Sequence, residues 1–394
     1  MKKQEAALLL TLFVFAFIFD FNKDMPISFY PLAPFCGFLS VVDRGAKFKA
    51  FWALLSWFVI YYCVVYLFGP YSKPVLGWII RTSCLMFLFL WSMLIKWDRK
   101  SILVVAASYS SYLLVWGFLE KIIYNPLRIG GPVNMPTEYA VALSILWGIW
   151  FVDFCRQKKN ILTLVFPTIL VLIAIILSGT RTGMIGLCIG ALFGIFAYTF
   201  KDEQISSLNK SVKFFIILSS VFILFAIFWN VFMKDLFIAK AMESVLHGKI
   251  DNSNKGRIVA WTAAYDAFSN NKIWGVGPDT FSTFYAQFIK NFPGIGIGRT
   301  LPHAHNEILQ ILSETGLLGF LHVSAIVAFC LFSIVNYMRK NKDETICYGL
   351  ITAFSIFFVT MLVNGTPHFG LIPMIMGIMA SFYFNREEEI CLQK

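Results

Sequence analysis

Charge is scarce in this chain. Only 14% of its 394 residues are Asp, Glu, Lys or Arg, where soluble domains carry about 25%, so a water-exposed globule is excluded. Acids are thinner still, 22 against 33 basic residues. In the segments read as facing outward they stand singly, at Asp235, Glu243, Asp251, Asp266, Asp279, Glu307 and Glu314. No D-x-D or similar cluster is there to hold a divalent cation against a phosphate. Cysteine is absent from the longest polar stretch, residues 234–302, although the chain has eight, so no disulfide framework braces it. Internal repeats, low-complexity tracts and nucleic-acid-binding motifs are also lacking.

What fills the sequence is apolar: 58% hydrophobic residues, 42 of them Phe, with a mean hydropathy of +0.71. A helix needs about 20 such residues to cross the hydrocarbon of a bilayer. About twelve runs qualify, near 6–20, 27–42, 50–69, 75–95, 101–122, 137–155, 161–178, 182–200, 212–233, 317–337, 345–363 and 368–385. The first begins after Lys2 and Lys3 and lacks a small-x-small cleavage site, which predicts a retained span. Basic residues set the orientation, because Lys and Arg in short loops resist translocation. The turns "RGAKFK", "KWDRK", "RQKK", "KDEQISSLNKSVK" and "MRKNKD" are all basic, whereas "FNKDMP", "GPYSKP", "LSGTRTG" and "NGTPHFG" hold at most one basic residue each. Both ends are therefore expected inside. The net charge of +11 belongs mostly to the inner turns, which suit anionic lipid headgroups. The expected organisation is nine spans over 1–233, one large outer loop over 234–305, and a loop-end helix with three more spans over 306–394.

Three short helices are predicted around the loop. "DNSNKGRIVAWTAAYDAF" puts Ile258, Trp261, Tyr265 and Phe268 at helical spacing, an apolar face for protein or membrane interface. In "WGVGPDTFSTFYAQFI", Asp279 is placed to cap a second helix. "HNEILQILSETG" starts a third near His303–Asn306, stopped or bent at Gly316. The backbone N–H groups at such a start favour an anion.

Cations on the outward side supply the chemistry. Arg128 lies in "YNPLRIGGPVNMP", Arg181 in "LSGTRTG", Arg257 in "NKGRIVAW" and Arg299 beside the paired His303 and His305. Arg181 ends an apolar span on the side where positive charge is disfavoured, which asks for a function. Guanidinium forks bind phosphate through two parallel hydrogen bonds, so several converging at membrane level suit a lipid-linked diphosphate. Such a leaving group departs without a strong acid if positive charge receives it. The attacking hydroxyl must lose a proton, for which an imidazole with an ordinary pKa of about 6.5 is suited. Arg181, Arg257 and His305 are thus the candidate catalytic residues, and Arg128, His303, Arg299 and Asn306 candidate substrate contacts. Any one arginine alone reads equally well as a snorkelling residue, and for Arg299 that reading comes first. H-x-H without further ligands is a weak zinc signal, so no metal and no cofactor are expected. His322 and His247 read as packing residues.

"PHAHNEILQILSETGLLGF" resembles the H-x-H-N-x-x-L…E-x-G-x-x-G segment of the bacterial O-antigen ligase and polymerase superfamily. "LSGTRTG" is similar to its T-x-[ST]-R motif, and "GRIVAWTAAYDAF" to its Gly-x-Arg stretch. The order of spans and loop looks like that of the lipopolysaccharide O-antigen ligases. The resemblance implies an all-α polytopic membrane protein of the GT-C glycosyltransferase type, lying in the bacterial inner membrane with its site facing the periplasm. It also implies transfer of O-antigen from undecaprenyl diphosphate to a sugar of the lipid A-core oligosaccharide, without a metal. The family's motif arginines fall on Arg181 and Arg257 and its histidine on His305, with His303 its neighbour. Arg128 is a looser match, to a basic outer loop. An O-antigen polymerase, with the same donor chemistry and a lipid-linked acceptor, is the nearest alternative. A twelve-span transporter is a more distant one, since such folds often pair two related halves about a long central connection and this chain has only "RQKKN" there.

Overall fold

The computed structural model describes residues 86, 88–95, 97–131, 136–157, 162–199, 252–291, 303–340, 345–364 and 371–392. The expected spans at 6–20, 27–42, 50–69 and 212–233, the start of the loop, Arg299 and most of the 75–95 span lie outside them. Within them the chain is helical: α1 (Arg99–Tyr124), α2 (Pro136–Gln157), α3 (Leu162–Ser178), α4 (Arg181–Thr199), α5 (Asn252–Asn270), α6 (Phe281–Phe288), α7 (Glu307–Lys340), α8 (Thr345–Asn364) and α9 (Leu371–Leu392). Four stretches are long and apolar enough to cross a membrane, Arg99–Tyr124, Pro136–Cys155, Glu307–Arg339 and Thr345–Leu362; Val165–Ser178, Arg181–Ile195 and Leu371–Tyr383 are apolar but shorter. The helix bounds follow the seven corresponding hydropathy runs to within a few residues, except where α7 begins ten residues early and α9 ends seven residues late.

Small residues bring the central helices together. Gly183, Gly186, Gly190 and Gly194 form one stripe on α4, where added Cβ atoms would collide in turn with Ala140, Ser144, Trp147 and Phe151 of α2. The rising order on both sides makes this pair parallel. The Ser144 hydroxyl donates to the Gly183 carbonyl at 2.9 Å. Close backbone approach through glycine is how helices associate where lipid offers no hydrophobic drive. α8 runs antiparallel against the same α2, with Gly349 against the Ile149 backbone and Gly148 against Thr352 and Ile356. Opposite the Arg181 end, Arg99 of α1 grips Asp153 of α2 with two hydrogen bonds, Nε to Oδ1 at 2.8 Å and Nη2 to Oδ2 at 2.7 Å. The Thr345 hydroxyl of α8 donates to Oδ1 at 2.5 Å. The start of α1, the end of α2 and the start of α8, which adjoin three of the basic turns, therefore lie at one end of the bundle, as the charge pattern predicts.

α7 is interrupted at Gly316, whose φ of 64° and ψ of −162° are not helical. The interruption frees carbonyls before it and N–H groups after it, and the turn that follows α5 satisfies them. Val276 and Gly277 donate to the carbonyls of Ser313 and Glu314 at 2.8 and 2.9 Å, and Leu317 and Leu318 donate to those of Lys272 and Ile273 at 2.7 and 3.3 Å. A Cβ on Gly316 would enter the Ile273 carbonyl, and one on Gly275 (φ 68°) the backbone of Glu314. The break divides α7 into a segment built into the loop layer, Glu307 to Thr315, and a membrane segment beyond.

The face of α5 packed on the protein is its alanine stripe, Ala260, Ala263, Ala264 and Ala267, while Trp261 and Tyr265, 37% and 63% exposed, leave the expected apolar face to an interface. The reason is distance, since alanines let α5 lie close against α7 where the aromatics would hold it off. Asp279 does not cap α6; it takes a left-handed turn at φ 58°, and the carboxylate of Glu314 supplies the cap by accepting from the Phe281 N–H at 3.2 Å and from the Asp279 backbone.

Gly316→Ala combines a left-handed conformation, costing about 1–2 kcal/mol for an L-residue, with a Cβ pressed into backbone. The purified variant is expected to unfold at a clearly lower temperature than wild type, while Asn270→Ala at the exposed end of α5 leaves the midpoint within about a degree, consistent with surface changes of about ±0.5 kcal/mol.

Candidate functional site

The Arg181 end of the bundle is assembled from three stretches of chain. The first is the loop after α1. Asn125 ends that helix in the left-handed region, its N–H returning to the Lys121 carbonyl, and Lys121 Nζ donates to the Pro126 carbonyl at 2.8 Å. The carboxylate of Glu120 accepts from the N–H groups of Gly130 and Gly131 at 3.0 and 2.6 Å, and Ile129 donates to the Leu177 carbonyl at 3.3 Å. The loop is thereby fixed against the end of α3, and Arg128, exposed to solvent, passes over Gly179, where a Cβ would lie 3.1 Å from its Nε.

The second stretch is the α3–α4 turn. Gly179 is left-handed at φ 62°, the hydroxyls of Ser178 and Thr180 share a hydrogen bond at 2.9 Å, and both residues are buried. Arg181 opens α4 directly after this turn and is half-buried.

The third is α5 with the turn before α7. Arg257 lies in the first half of α5, half-buried. Burial holds its guanidinium below its ordinary pKa, and the positive charge of Arg181 pushes the same way, which brings these two arginines together electrostatically. Like charges brought near each other with burial indicate a place prepared for an anion. Among the described residues no carboxylate pairs with Arg128, Arg181 or Arg257; the ion pair described is Arg99–Asp153 at the far end.

The histidine turn meets Arg257 through helix register. The end of α5 is joined to α7 at Gly316, and nearer its start Val259, Ala260, Ala263 and Ala264 cluster with Ala304. α5 thus runs back along α7, and Arg257, a turn before Ala260, comes level with His303–His305. His305 is in the left-handed region at φ 55°, uncommon for a residue with a Cβ, and its Nδ1 is shielded from solvent. Hydrogen bonds on either side hold this conformation. The Ala304 N–H donates to Gln310 Oε1 at 2.7 Å. Asn306 Oδ1 accepts from the Leu309 N–H at 3.1 Å as the N-cap of α7, and its Nδ2 donates to the Leu362 carbonyl of α8 at 3.0 Å. Both ends of the Asn306 amide are engaged in holding the turn.

The structure thus lays Arg128 over the Gly179 turn that Arg181 follows, sets Arg257 within electrostatic reach of Arg181, and packs Ala304, between the two histidines, on the Val259–Ala264 stretch of α5. Sequence reasoning missed the acids behind them. Glu307 opens α7 and Glu314 lies two turns on; burial raises their carboxyls to about 7 and about 8, with the hydrogen bonds to Glu314 opposing its shift. The signal for Glu314 was present in "SETGLLG" beside "WGVG", where an acid precedes a glycine break.

Residues 166–323 match the family model described as O-Antigen ligase, a segment that contains Arg181, Arg257, His303 and His305. A curated relative, the teichuronic acid biosynthesis protein TuaE of Bacillus subtilis (strain 168), is 24% identical over 274 residues, covering 64% of this chain. The chain spans about half of that relative's length, 54%.

A carboxyl whose pKa is raised on folding binds its proton more tightly in the fold than in the unfolded chain. Its stabilising effect is complete below the ordinary value of 4.5 and is lost as pH rises through about 8 for Glu314. Thermal midpoints of the purified protein are expected to fall between pH 5 and pH 8, by the linkage just described, and Glu314→Gln to flatten that slope. An equal slope in the variant would contradict the assignment. With four described helices long and apolar enough to span a bilayer, this is an integral membrane protein, similar over residues 166–323 to the O-antigen ligase family.

Proposed function

We propose that the protein is an O-antigen ligase, a metal-independent glycosyltransferase of the GT-C type that moves a finished glycan from undecaprenyl diphosphate to a hydroxyl of the lipid A-core oligosaccharide. The observation that supports this reading is that Arg128 overlies the turn leading into Arg181 and Arg257 feels the charge of Arg181, without carboxylate partners among the described residues. The arginines receive the diphosphate as the anomeric C–O bond breaks, and positive charge fixed in place beforehand stabilises the departing group without reorganisation. His305 takes the proton of the attacking hydroxyl. His303 contacts the glycan, and Arg299 joins the donor side. Asn306 contributes by holding the histidine turn. The positive-inside pattern of the turns supports a periplasmic position for this site.

A polymerase reading is favoured by one observation, the relative named for teichuronic acid biosynthesis. It keeps the same donor chemistry and exchanges the core for a second lipid-linked glycan. A deletion strain separates the two: free lipid-linked polymer with bare core indicates the ligase, and core carrying a single repeat unit indicates the polymerase.

Arg181→Ala and His305→Ala are expected to keep normal protein levels while glycan capping of the core falls by about 100-fold or more, the range for loss of a transition-state charge or a general base. Normal capping in either variant would refute the assignment. Arg257→Lys should restore only part of what Arg257→Ala loses, because an ammonium lacks the two-pronged fork. Purified enzyme is expected to retain its rate in EDTA; a loss reversed by adding back a divalent ion would overturn the metal-free mechanism.

A further inference from the structure

The helices α1 and α3 both pack on α2, and between them lies a cleft of about 300 Å³. Trp150 and Phe154 of α2 floor it, and Ala107 and Ser111 of α1 face Pro167 and Val171 of α3 across it. Small residues lower the α1 wall, and both Ala107 and Ser111 are exposed. The cleft therefore opens away from the bundle, between outward residues that are apolar, Val104 and Val115 on α1 and Phe166, Ile169 and Ile173 on α3. α1 is long and apolar enough to cross a bilayer, so these faces meet hydrocarbon. The charged residues of the lining are Arg99 and Asp153, at the inner end, and each compensates the other. To be held there, the phosphate of an inner-leaflet lipid would have to break that pair. Cations without a carboxylate partner among the described residues stand at the opposite end, where Arg128 lies over Gly179 at the head of the same α1–α3 flank. An amphiphile matched to this polarity has its anionic head at Arg128 and its tail in the cleft.

Depth sets the length of that tail. Trp150 and Phe154 stand 14 and 18 residues after Pro136, at the outer end of α2, roughly 21–27 Å down the helix at about 1.5 Å per residue. One leaflet contributes half of a hydrocarbon layer about 30 Å thick, so the acyl chains of an outer-leaflet glycerolipid end above the cleft. A track leads down to it. Ala107, Ser111, Val115, Leu119 and Ile122 recur every three or four residues along one exposed face of α1, as residues on one side of a helix do, and Leu127 is exposed beside Arg128 at the head of the track. We propose that the cleft between α1 and α3 is a subsite for the far end of a polyprenyl tail, so that the protein selects its donor lipid by tail length as well as by its diphosphate. The proposal deepens the glycosyl-transfer reading and rests on it. The polar groups around the cleft are engaged within the protein, which suits a hydrocarbon occupant. The Ser110 hydroxyl donates to the Ala106 carbonyl of its own helix at 2.7 Å, and Trp147 Nε1 donates to Thr168 Oγ1 at 3.1 Å, tying α3 to α2 beside the cleft.

The test is glycan transfer by the purified full-length protein in liposomes, with the glycan linked through diphosphate either to a long polyprenol or to a four-isoprene chain, about as long as one leaflet is deep. Wild type is expected to show a KM about tenfold or more lower for the long donor, an effect within reach of a few buried methylene groups, at similar kcat. Ala107→Trp and Ser111→Trp fill the cleft from exposed positions. Each is expected to raise KM for the long donor by about tenfold with kcat unchanged, as loss of uniform binding does, and to leave the short donor as in wild type. Val104→Trp, on the same helix but outside the lining, is expected to alter neither. A wild type indifferent to tail length, or cleft variants that change both donors alike or neither, overturns the inference and leaves transfer itself standing. A long-donor KM that rises with phosphatidylglycerol content in wild type but not in Ala107→Trp identifies a phospholipid as the occupant and also overturns it. Should neither Trp variant accumulate, Ala107→Leu and the tail-length dependence of wild type decide. If wild type transfers glycan from no donor, thermal midpoints with bare polyprenyl diphosphates separate the two ideas. A long chain that raises the midpoint of wild type more than that of Ala107→Trp, with the four-isoprene diphosphate acting equally on both, keeps the subsite and sinks the glycosyl-transfer reading; equal shifts with the long chain sink both.

Discussion

The reciprocal backbone hydrogen bonding at Gly316 is the constraint on which the rest of the site depends. Four bonds join the turn after α5 to the break in α7, two in each direction. They settle the angle at which the loop layer stands on the membrane segment and the register of α5 along α7. α5 reaches the histidine turn because it runs back along α7 from this join until Val259 and Ala260 meet Ala304. An α7 that continued straight would keep its own carbonyls, leave the turn at residues 272–277 without partners, and carry Glu314 away from the helix it caps. One glycine conformation thus orders two helices and a carboxylate.

The rim is built with a division of labour between backbone and side chain. Glu120, Asn306 and Gln310 spend their polar atoms on loop N–H groups, and among the described residues no carboxylate pairs with Arg128, Arg181 or Arg257. A guanidinium already paired with an acid could bind a phosphate only by giving up that pair. The far end of the bundle shows the contrast, since Arg99 is forked onto Asp153 and ties α1 to α2 and α8.

Much of this was legible in the sequence, and the physical reasons differ by element. Bilayer thickness imposes a length on apolar runs, so α1 to α4 and α8 were readable nearly to their ends. The arginines stood out because positive charge at an outward helix end is disfavoured and needs a reason. The alanine stripe of α5 was not legible, because the contact with α7 selects small side chains and leaves Trp261 and Tyr265 outward. Asp279 was misread because an acid beside a helix start is a common cap, whereas here Thr280 holds the cap position and a distant glutamate arrives through the kink.

The glycine stripe of α4 carries a consequence for traffic within the bilayer. With its backbone pressed against Ala140, Ser144, Trp147 and Phe151 along the whole shared length, the α2–α4 seam leaves no slot for a hydrocarbon tail. Under the proposed reaction, a polyprenyl chain bound for Arg181 would slide in from another flank. Parting α2 from α4 would uncover that whole glycine-lined contact at once, so the seam acts as the fixed wall against which any gate has to move.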